Sequence, residues 1–186
     1  MKSGKVIAIV GMAGSGKGTV AEYLESKGCP KVYFGGMVYE EVKKRGLDII
    51  KDEKFVREDM RSQEGMDVMA KRASIKIDEY FTNGHKTVVC DGLYSWSEYK
   101  FLKEKYGDNL TVIAVYTPLN LRYERLVNRR DEHRPYTLED AIKRDYTEIE
   151  NIEKGGPIAM ADYTIVNDQE LDVLINNLEK LLQTIL

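Results

Sequence analysis

The chain has 186 residues and a net charge of −3, which excludes a general attraction to nucleic acid or to anionic membranes. No apolar run approaches the roughly 20 residues that span a bilayer, and the two cysteines form no metal or disulfide pattern. The first apolar run begins too close to the N-terminus for a signal peptide. We therefore expect a cytoplasmic protein that binds neither nucleic acid nor membrane.

Short apolar runs alternate with longer amphipathic segments along the chain. This alternation predicts a parallel sheet covered by helices on both faces, and the length suits a single α/β domain over residues 1–186. A Gly155-Gly156-Pro157 sequence is predicted to end the sixth helix and to form a short connector. The predicted strands are 5–10, 31–34, 87–90, 110–116 and 162–166. The predicted helices are 17–28, 37–45, 53–82 with a break near Gly65, 95–106, 119–131, 137–153 and 169–185.

A glycine-rich segment, Gly-Met-Ala-Gly-Ser-Gly-Lys-Gly-Thr, joins the first strand to the first helix. Glycines let backbone N–H groups turn inward, the helix N-terminus adds positive potential, and Lys17 can contact the outer phosphates of a nucleotide. The usual hydroxyl after the lysine is displaced by one position, from Gly18 to Thr19. The segment predicts a polyphosphate site, and the alternative is a glycine-rich turn without a ligand. The predicted cofactor-binding residues here are Gly11, Met12, Ala13, Gly14, Ser15, Gly16, Lys17, Gly18 and Thr19.

Asp91 closes the third apolar strand, at the sheet edge where ligands bind in folds of this kind. In phosphate-binding loop proteins, a carboxylate at this place holds magnesium directly or through water. Thr19 and Asp91 are therefore the predicted magnesium ligands. The alternative role for Asp91 is a strand-end aspartate that caps the turn at Gly92.

An arginine cluster follows the fourth strand. Arg122, Arg125 and Arg129 are spaced i, i+3, i+7 and so share one helix face, and Arg130 and Arg134 follow them. Guanidinium groups neutralise the charge that develops during phosphoryl transfer, so this segment is predicted to be catalytic. The alternative is a solvated basic face that pairs with neighbouring carboxylates. The same two roles are open for Arg144 on the next helix.

The final strand ends in the polar turn Asn167-Asp168. Backbone groups of such a turn can contact an adenine base, and Asn167 is therefore a candidate cofactor-binding residue. The alternative is a turn without any ligand, because asparagine and aspartate are common in turns.

With these motifs in place, the chain resembles the nucleotide kinase branch of the P-loop NTPases, and in particular the adenylate kinase-related proteins of archaea. The resemblance depends on the GKG-T loop, on Asp91-Gly92, on the Arg125-Leu126-x-x-Arg129 segment and on the stretch 161–167, which is also similar to dephospho-coenzyme A kinases. It implies a three-layer α/β/α P-loop fold with a five-stranded parallel sheet in the order 2-3-1-4-5. It also implies ATP and Mg²⁺ as cofactors, Lys17 on the phosphates, and Arg125 and Arg129 in a short lid at 118–145.

The acceptor side departs from this family. Phe34 and Tyr39 stand where adenylate kinases have a threonine and an AMP-binding arginine, and the Asp91-Gly92-Leu93-Tyr94 segment lacks a second arginine. Phe34-Gly35-Gly36 also lacks the aspartate that dephospho-coenzyme A kinases keep after strand two. Residues 35–82 are predicted to bind the acceptor, with Arg57 and Arg61 either as phosphate contacts or as members of surface ion pairs.

The sequence therefore predicts an ATP- and magnesium-dependent phosphotransferase of nucleoside monophosphate kinase type. Its predicted catalytic residues are Lys17, Asp91, Arg125 and Arg129, and its acceptor is a small metabolite, with a nucleotide favoured. One alternative is an enzyme similar to dephospho-coenzyme A kinase. The other is a nucleotide-switched ATPase or binding module that has no metabolite acceptor.

Overall fold

A computed structural model describes residues 4–129 and 137–186 of the chain. Five strands form one sheet in which every pairing is parallel, in the order β2-β3-β1-β4-β5, as predicted. The apolar runs are continuous because both faces of this sheet are covered. The strands are β1 (Lys5–Val10), β2 (Lys31–Tyr33), β3 (Thr87–Asp91), β4 (Leu110–Tyr116) and β5 (Tyr163–Val166).

Helices pack on both faces of the sheet. None of those in the described part of the chain is long and apolar enough to cross a membrane. The described α-helices are α1 (Lys17–Ser26), α2 (Phe34–Lys44), α3 (Ile49–Glu64), α4 (Val68–Thr82), α5 (Trp96–Tyr106), α6 (Leu119–Val127), α7 (Leu138–Ile152), α8 (Gly155–Ala159) and α9 (Leu171–Ile185).

Alternate residues of the central strand β1 point into two separate cores, as the period of a strand requires. Val6, Ala8 and Val10 belong to the larger core, which α2, α3, α4 and α5 cover. Ile7 and Ile9 belong to the second core, which α1 and α9 cover. The result is the predicted three-layer α/β/α arrangement.

Two helices begin earlier than the sequence predicts. α2 begins at Phe34 instead of residue 37, and burial of the Phe34 side chain anchors its first turn in the larger core. α3 begins at Ile49 instead of residue 53 because Asp48 caps it: the Asp48 carboxylate accepts the Lys51 N–H at 3.0 Å. The predicted break near Gly65 is confirmed, since α3 and α4 are separate helices.

The prediction of a plain connector at Gly155-Gly156-Pro157 is wrong. α7 ends at Ile152, Glu153 takes a left-handed conformation, and residues 155–159 form the short helix α8. Pro157 fits because it lies in the first turn, where a missing N–H costs no hydrogen bond. Ile158 then packs against the larger core. The predicted helix 119–131 corresponds to α6, which ends earlier, at Val127, and residues 130 and 131 lie outside the described part.

Candidate functional site

The loop between β1 and α1 depends on glycine at two positions. Gly14 has φ +79°, and a Cβ there would lie 2.7 Å from the Arg122 carbonyl oxygen. Gly16 has φ +91°, and a Cβ there would lie 2.3 Å from the Asn167 side-chain nitrogen. Any larger side chain would therefore strain the backbone and also displace the neighbours that hold the loop.

Two side chains, one directly after β4 and one directly after β5, hold a carbonyl group of this loop. The Asn167 amide donates to the Ser15 carbonyl oxygen at 2.8 Å. The Thr117 hydroxyl lies 3.0 Å from the same oxygen and 2.8 Å from the Asn167 carbonyl oxygen. Because these partners lie behind the loop, its carbonyl groups are drawn outward, which suits a loop that offers N–H groups to an anion.

Arg122 is a further support of the loop rather than a member of an exposed arginine row. Its buried guanidinium group donates to the Ala13 carbonyl oxygen at 3.0 Å and to the buried Asp145 carboxylate at 2.7 Å. The shared helix face with Arg125 and Arg129 suggested a catalytic role for all three. The structure instead connects Arg122 to α7, and removing one partner of such a buried pair typically costs about 3–5 kcal/mol.

Arg125 lies half-buried against the turn after β5, where its guanidinium group donates to the Asn167 carbonyl oxygen at 3.1 Å. Arg129 is exposed beyond the end of α6. Arg130 and Arg134 lie outside the described residues, as does the middle of the predicted lid 118–145. The catalytic assignments of Arg125 and Arg129 therefore stay predictions, and so does the contact of Asn167 with adenine.

The loop also contains a buried polar atom. The Ser15 side chain is fully buried, and its Oγ has no hydrogen-bond partner among the described residues. This atom lies beside Gly11, where an added Cβ would come within 2.5 Å of it. An unsatisfied buried hydroxyl costs free energy that a ligand oxygen can recover, so the loop fits a polyphosphate.

Lys17 begins α1 and lies among charged groups from three other elements. Burial lowers the pKa of its ammonium group to about 8, and the positive charges of Lys154 and Arg144 act in the same direction. The carboxylates of Asp91 and Glu148 oppose this shift but do not cancel it. An incoming anion would relieve both the repulsion and part of the lost solvation.

Lys154 is a component of the site that sequence analysis missed. Its side chain is 1% exposed, and its ammonium group contacts the Glu148 carboxylate at 2.5 Å. Glu148 also accepts a hydrogen bond from Arg144 at 2.9 Å. Burial favours protonation of Glu148, but its two cationic neighbours hold its pKa at about 2. A lysine at the end of a helix usually satisfies the helix dipole, so the sequence carried no signal of this role.

The two predicted magnesium ligands are half-buried at the ligand edge of the sheet. Burial raises the pKa of Asp91, while Lys17 and Lys31 lower it. The described residues contain no group of three His, Cys, Asp or Glu side chains that could hold a metal ion. One carboxylate and one hydroxyl fit a magnesium ion that takes its other ligands from phosphates and water.

Three tyrosines lie on the expected acceptor side of the site. Tyr33 ends β2, Tyr39 lies on α2, and Tyr94 follows β3. The Tyr33 and Tyr39 rings are in edge contact with their centroids 6.1 Å apart, and burial raises the pKa of both Tyr33 and Tyr94. The Lys154 ammonium group lies 5.1 Å from the centre of the Tyr94 ring. This phenol cluster therefore connects the expected acceptor side with the buried charges around Lys17.

Tyr94 is positioned by the start of α5. The buried Glu98 carboxylate accepts the backbone N–H groups of Tyr94 and Ser95, each at 2.9 Å. Arg61 extends from α3 to within 3.8 Å of the same carboxylate. Arg61 thus supports a buried loop, and Arg57 forms an ion pair with Glu53 at 3.3 Å.

Together, the parallel sheet, the glycine loop with its lysine, and the aspartate at the end of β3 define a P-loop protein with a kinase-like fold. A family model described as an AAA domain matches residues 7–153, so the chain belongs to that family. The chain also belongs to the UPF0200 family: it is 36% identical over 183 residues to a UPF0200 protein of Thermococcus onnurineus, covering 97% of this chain and 98% of the relative. The predicted likeness to archaeal P-loop proteins is confirmed.

Solved kinase structures share the fold. A shikimate kinase from Acinetobacter baumannii, in complex with shikimate, superposes with a TM-score of 0.58 and 24% identity, covering 99% of this chain and 94% of that one. A dephospho-CoA kinase from Campylobacter jejuni superposes with a TM-score of 0.62 and 17% identity, covering 97% and 96%. At these identities, the likeness establishes the fold.

The supported loop can be tested with a matched pair of glycine substitutions. We expect Gly16→Ala to lower the free energy of unfolding by about 1–2 kcal/mol, because a left-handed residue gains a Cβ. Gly18→Ala is the control, since a Cβ there meets nothing within 4 Å. Urea unfolding of both variants measures the difference. Equal stability of the two variants would contradict the described loop conformation.

Proposed function

We propose that the protein is an ATP-dependent phosphotransferase that transfers the γ-phosphoryl group to a small metabolite. The observation that carries this proposal is the supported glycine loop, with the buried, unpartnered Ser15 hydroxyl inside it and Lys17 beside it. Such a loop binds the β- and γ-phosphates through backbone N–H groups and its lysine. The family and the solved kinases that share the fold support the same reaction class.

Each side chain near the loop has a proposed task. Lys17 stabilises the negative charge of the outer phosphates, and Thr19 and Asp91 hold magnesium. When bound, magnesium neutralises phosphate charge. Arg125 and Arg129 close over the phosphates and exclude water, which favours transfer over hydrolysis of ATP. Asn167 supports the loop with its side chain, and the turn it begins contacts adenine.

The structure defines the phosphoryl acceptor less closely than it defines the proposed nucleotide site. A nucleotide is the acceptor that the sequence favours, but each of the four arginines on or directly after α2, α3 and α4 lies within 4 Å of a carboxylate. A phosphate acceptor would have to displace one of these partners. The pairs are Arg45–Glu41, Arg57–Glu53, Arg61–Glu98 and Arg72–Glu41.

This pairing favours a second candidate function, transfer to a hydroxyl group instead of a phosphate group. Two of the kinases that share the fold have shikimate and dephospho-CoA in their names. A hydroxyl acceptor does not require a pair of arginines to hold its reacting group, although a basic oxygen must accept its proton. The half-buried Asp91 carboxylate is the candidate for this base, because burial raises its pKa, and in that case Asp91 holds magnesium through water and not by a direct bond.

An acceptor screen tests the proposed reaction class. ADP release is measured with ATP and Mg²⁺ alone, and then with nucleoside monophosphates, shikimate or dephospho-coenzyme A. We expect one acceptor to increase ADP release by at least about 100-fold, because effective transfer depends on a positioned acceptor. Slow hydrolysis that no acceptor changes would contradict the phosphotransferase proposal and would favour a nucleotide-switched ATPase.

The pH dependence of ATP affinity tests the role of Lys17. The protonated lysine binds phosphate, and its pKa in the free protein is about 8. We therefore expect constant affinity below about pH 8 and a loss of up to about tenfold per pH unit above it. Calorimetric titrations at several pH values measure this slope. In Lys17→Ala the slope should vanish, and the same slope in that variant would overturn the assignment.

A further inference from the structure

Lys154 is a buried cation for which the proposed function has no task so far. It lies between α7 and α8, and its side chain is 1% exposed. Removing an ammonium group from water is costly, and a single carboxylate offsets only part of that cost. The contact with Glu148 at 2.5 Å and the Tyr94 ring at 5.1 Å fix the ammonium group at one place in the site.

The charged groups around Lys17 act on it unequally. Lys154 and Arg144 lower the pKa of Lys17 more strongly than Asp91 and Glu148 raise it, while Asp145 also acts on Lys154. Glu148 pairs with Lys154 and with Arg144 at once. Repulsion between buried cations is unfavourable in the free protein and is relieved when an anion enters.

The position of Lys154 indicates that this anion is the phosphoryl group in transfer. Its ammonium group repels that of Lys17, which belongs to the nucleotide loop, and lies 5.1 Å from the ring of Tyr94, which follows β3 on the acceptor side. A phosphoryl group that leaves ATP for an acceptor must pass from the nucleotide loop to the acceptor side. Charge that builds up there during the reaction is stabilised most strongly by cations that are fixed in advance in a dry site.

We propose that Lys154 is a second lysine of the phosphoryl-transfer site, stabilising the group in transfer from the acceptor side, and that Glu148 is the positioning residue that holds it. This inference rests on the proposed phosphotransferase function. In the step, the bond from the γ-phosphorus to the oxygen that bridges the β- and γ-phosphates breaks, and a bond to the acceptor oxygen forms. ADP leaves with the electron pair of the broken bond.

The proton balance of this step does not involve Lys154, which stays protonated throughout. A phosphate acceptor attacks as an anion and has no proton to lose. A hydroxyl acceptor passes its proton to Asp91 or to water. Lys154 therefore contributes charge alone, so replacing it with arginine should preserve part of its effect.

The test compares the binding of ADP with the binding of ADP plus aluminium fluoride, which mimics the phosphoryl group in transfer, both with Mg²⁺. We expect Lys154→Met to bind ADP within about threefold of the wild type but to lose about 100-fold in affinity for the aluminium fluoride complex. Lys154→Arg should recover at least tenfold of that loss. Lys100→Met is the control, since Lys100 also lies over an aromatic ring, at 5.9 Å from Trp96, but is exposed.

Two further measurements separate this role from a structural one. If thermal unfolding shows that Lys154→Met does not fold, Glu148→Gln is measured in its place. This variant keeps the lysine and removes its positioning partner. We expect it to lose about tenfold in affinity for the aluminium fluoride complex and to keep its affinity for ADP. In folded Lys154→Met, the pH above which ATP affinity falls should rise, because one of the two cations that face Lys17 is gone and Arg144, Asp91 and Glu148 remain.

Equal affinity of the wild type, Lys154→Met and Glu148→Gln for the aluminium fluoride complex would overturn the role of Lys154 and leave the proposed function intact. Failure of the wild type to bind ATP or ADP at all would instead overturn the proposed function. The two failures are therefore distinguishable in one set of titrations.

Discussion

The structure of the site depends on how the carbonyl groups of the glycine loop are held. An anion-binding loop must present N–H groups on one side, so its carbonyl oxygens need partners on the other. Here Arg122 binds the Ala13 carbonyl, while Asn167 and Thr117 bind the Ser15 carbonyl. Without these partners, the loop could turn its carbonyl oxygens inward and repel an anion.

The same contacts connect the loop to distant parts of the chain. Arg122 pairs with Asp145 on α7, and α7 also carries Arg144 and Glu148. Glu148 in turn holds Lys154 at the start of α8, so one helix both supports the loop and positions two of the cations around Lys17. A movement of α7 would therefore change the shape of the loop and the electrostatic potential inside it together. In the proposed phosphotransferase, this coupling would let closure of the site and its electrostatic potential change together.

The parallel sheet followed from the sequence because apolar runs alternate with amphipathic segments, and the order of its strands followed from the resemblance to P-loop kinases. The supports of the loop did not follow, since Thr117 and Asn167 lie 102 and 152 residues from Ser15 and neither has a local pattern that indicates a partner. The helix α8 was missed because two glycines and a proline usually mark a turn. Lys154 was missed because only tertiary packing buries it.

The central claim is that this supported loop binds the triphosphate of a nucleotide, and calorimetry with ATP and Mg²⁺ tests it most directly. We expect measurable binding by the wild type and a loss of at least about tenfold in affinity in Lys17→Ala, because one charge-assisted phosphate contact disappears. Absence of heat with ATP and also with GTP, or equal affinity of the two proteins, would contradict it.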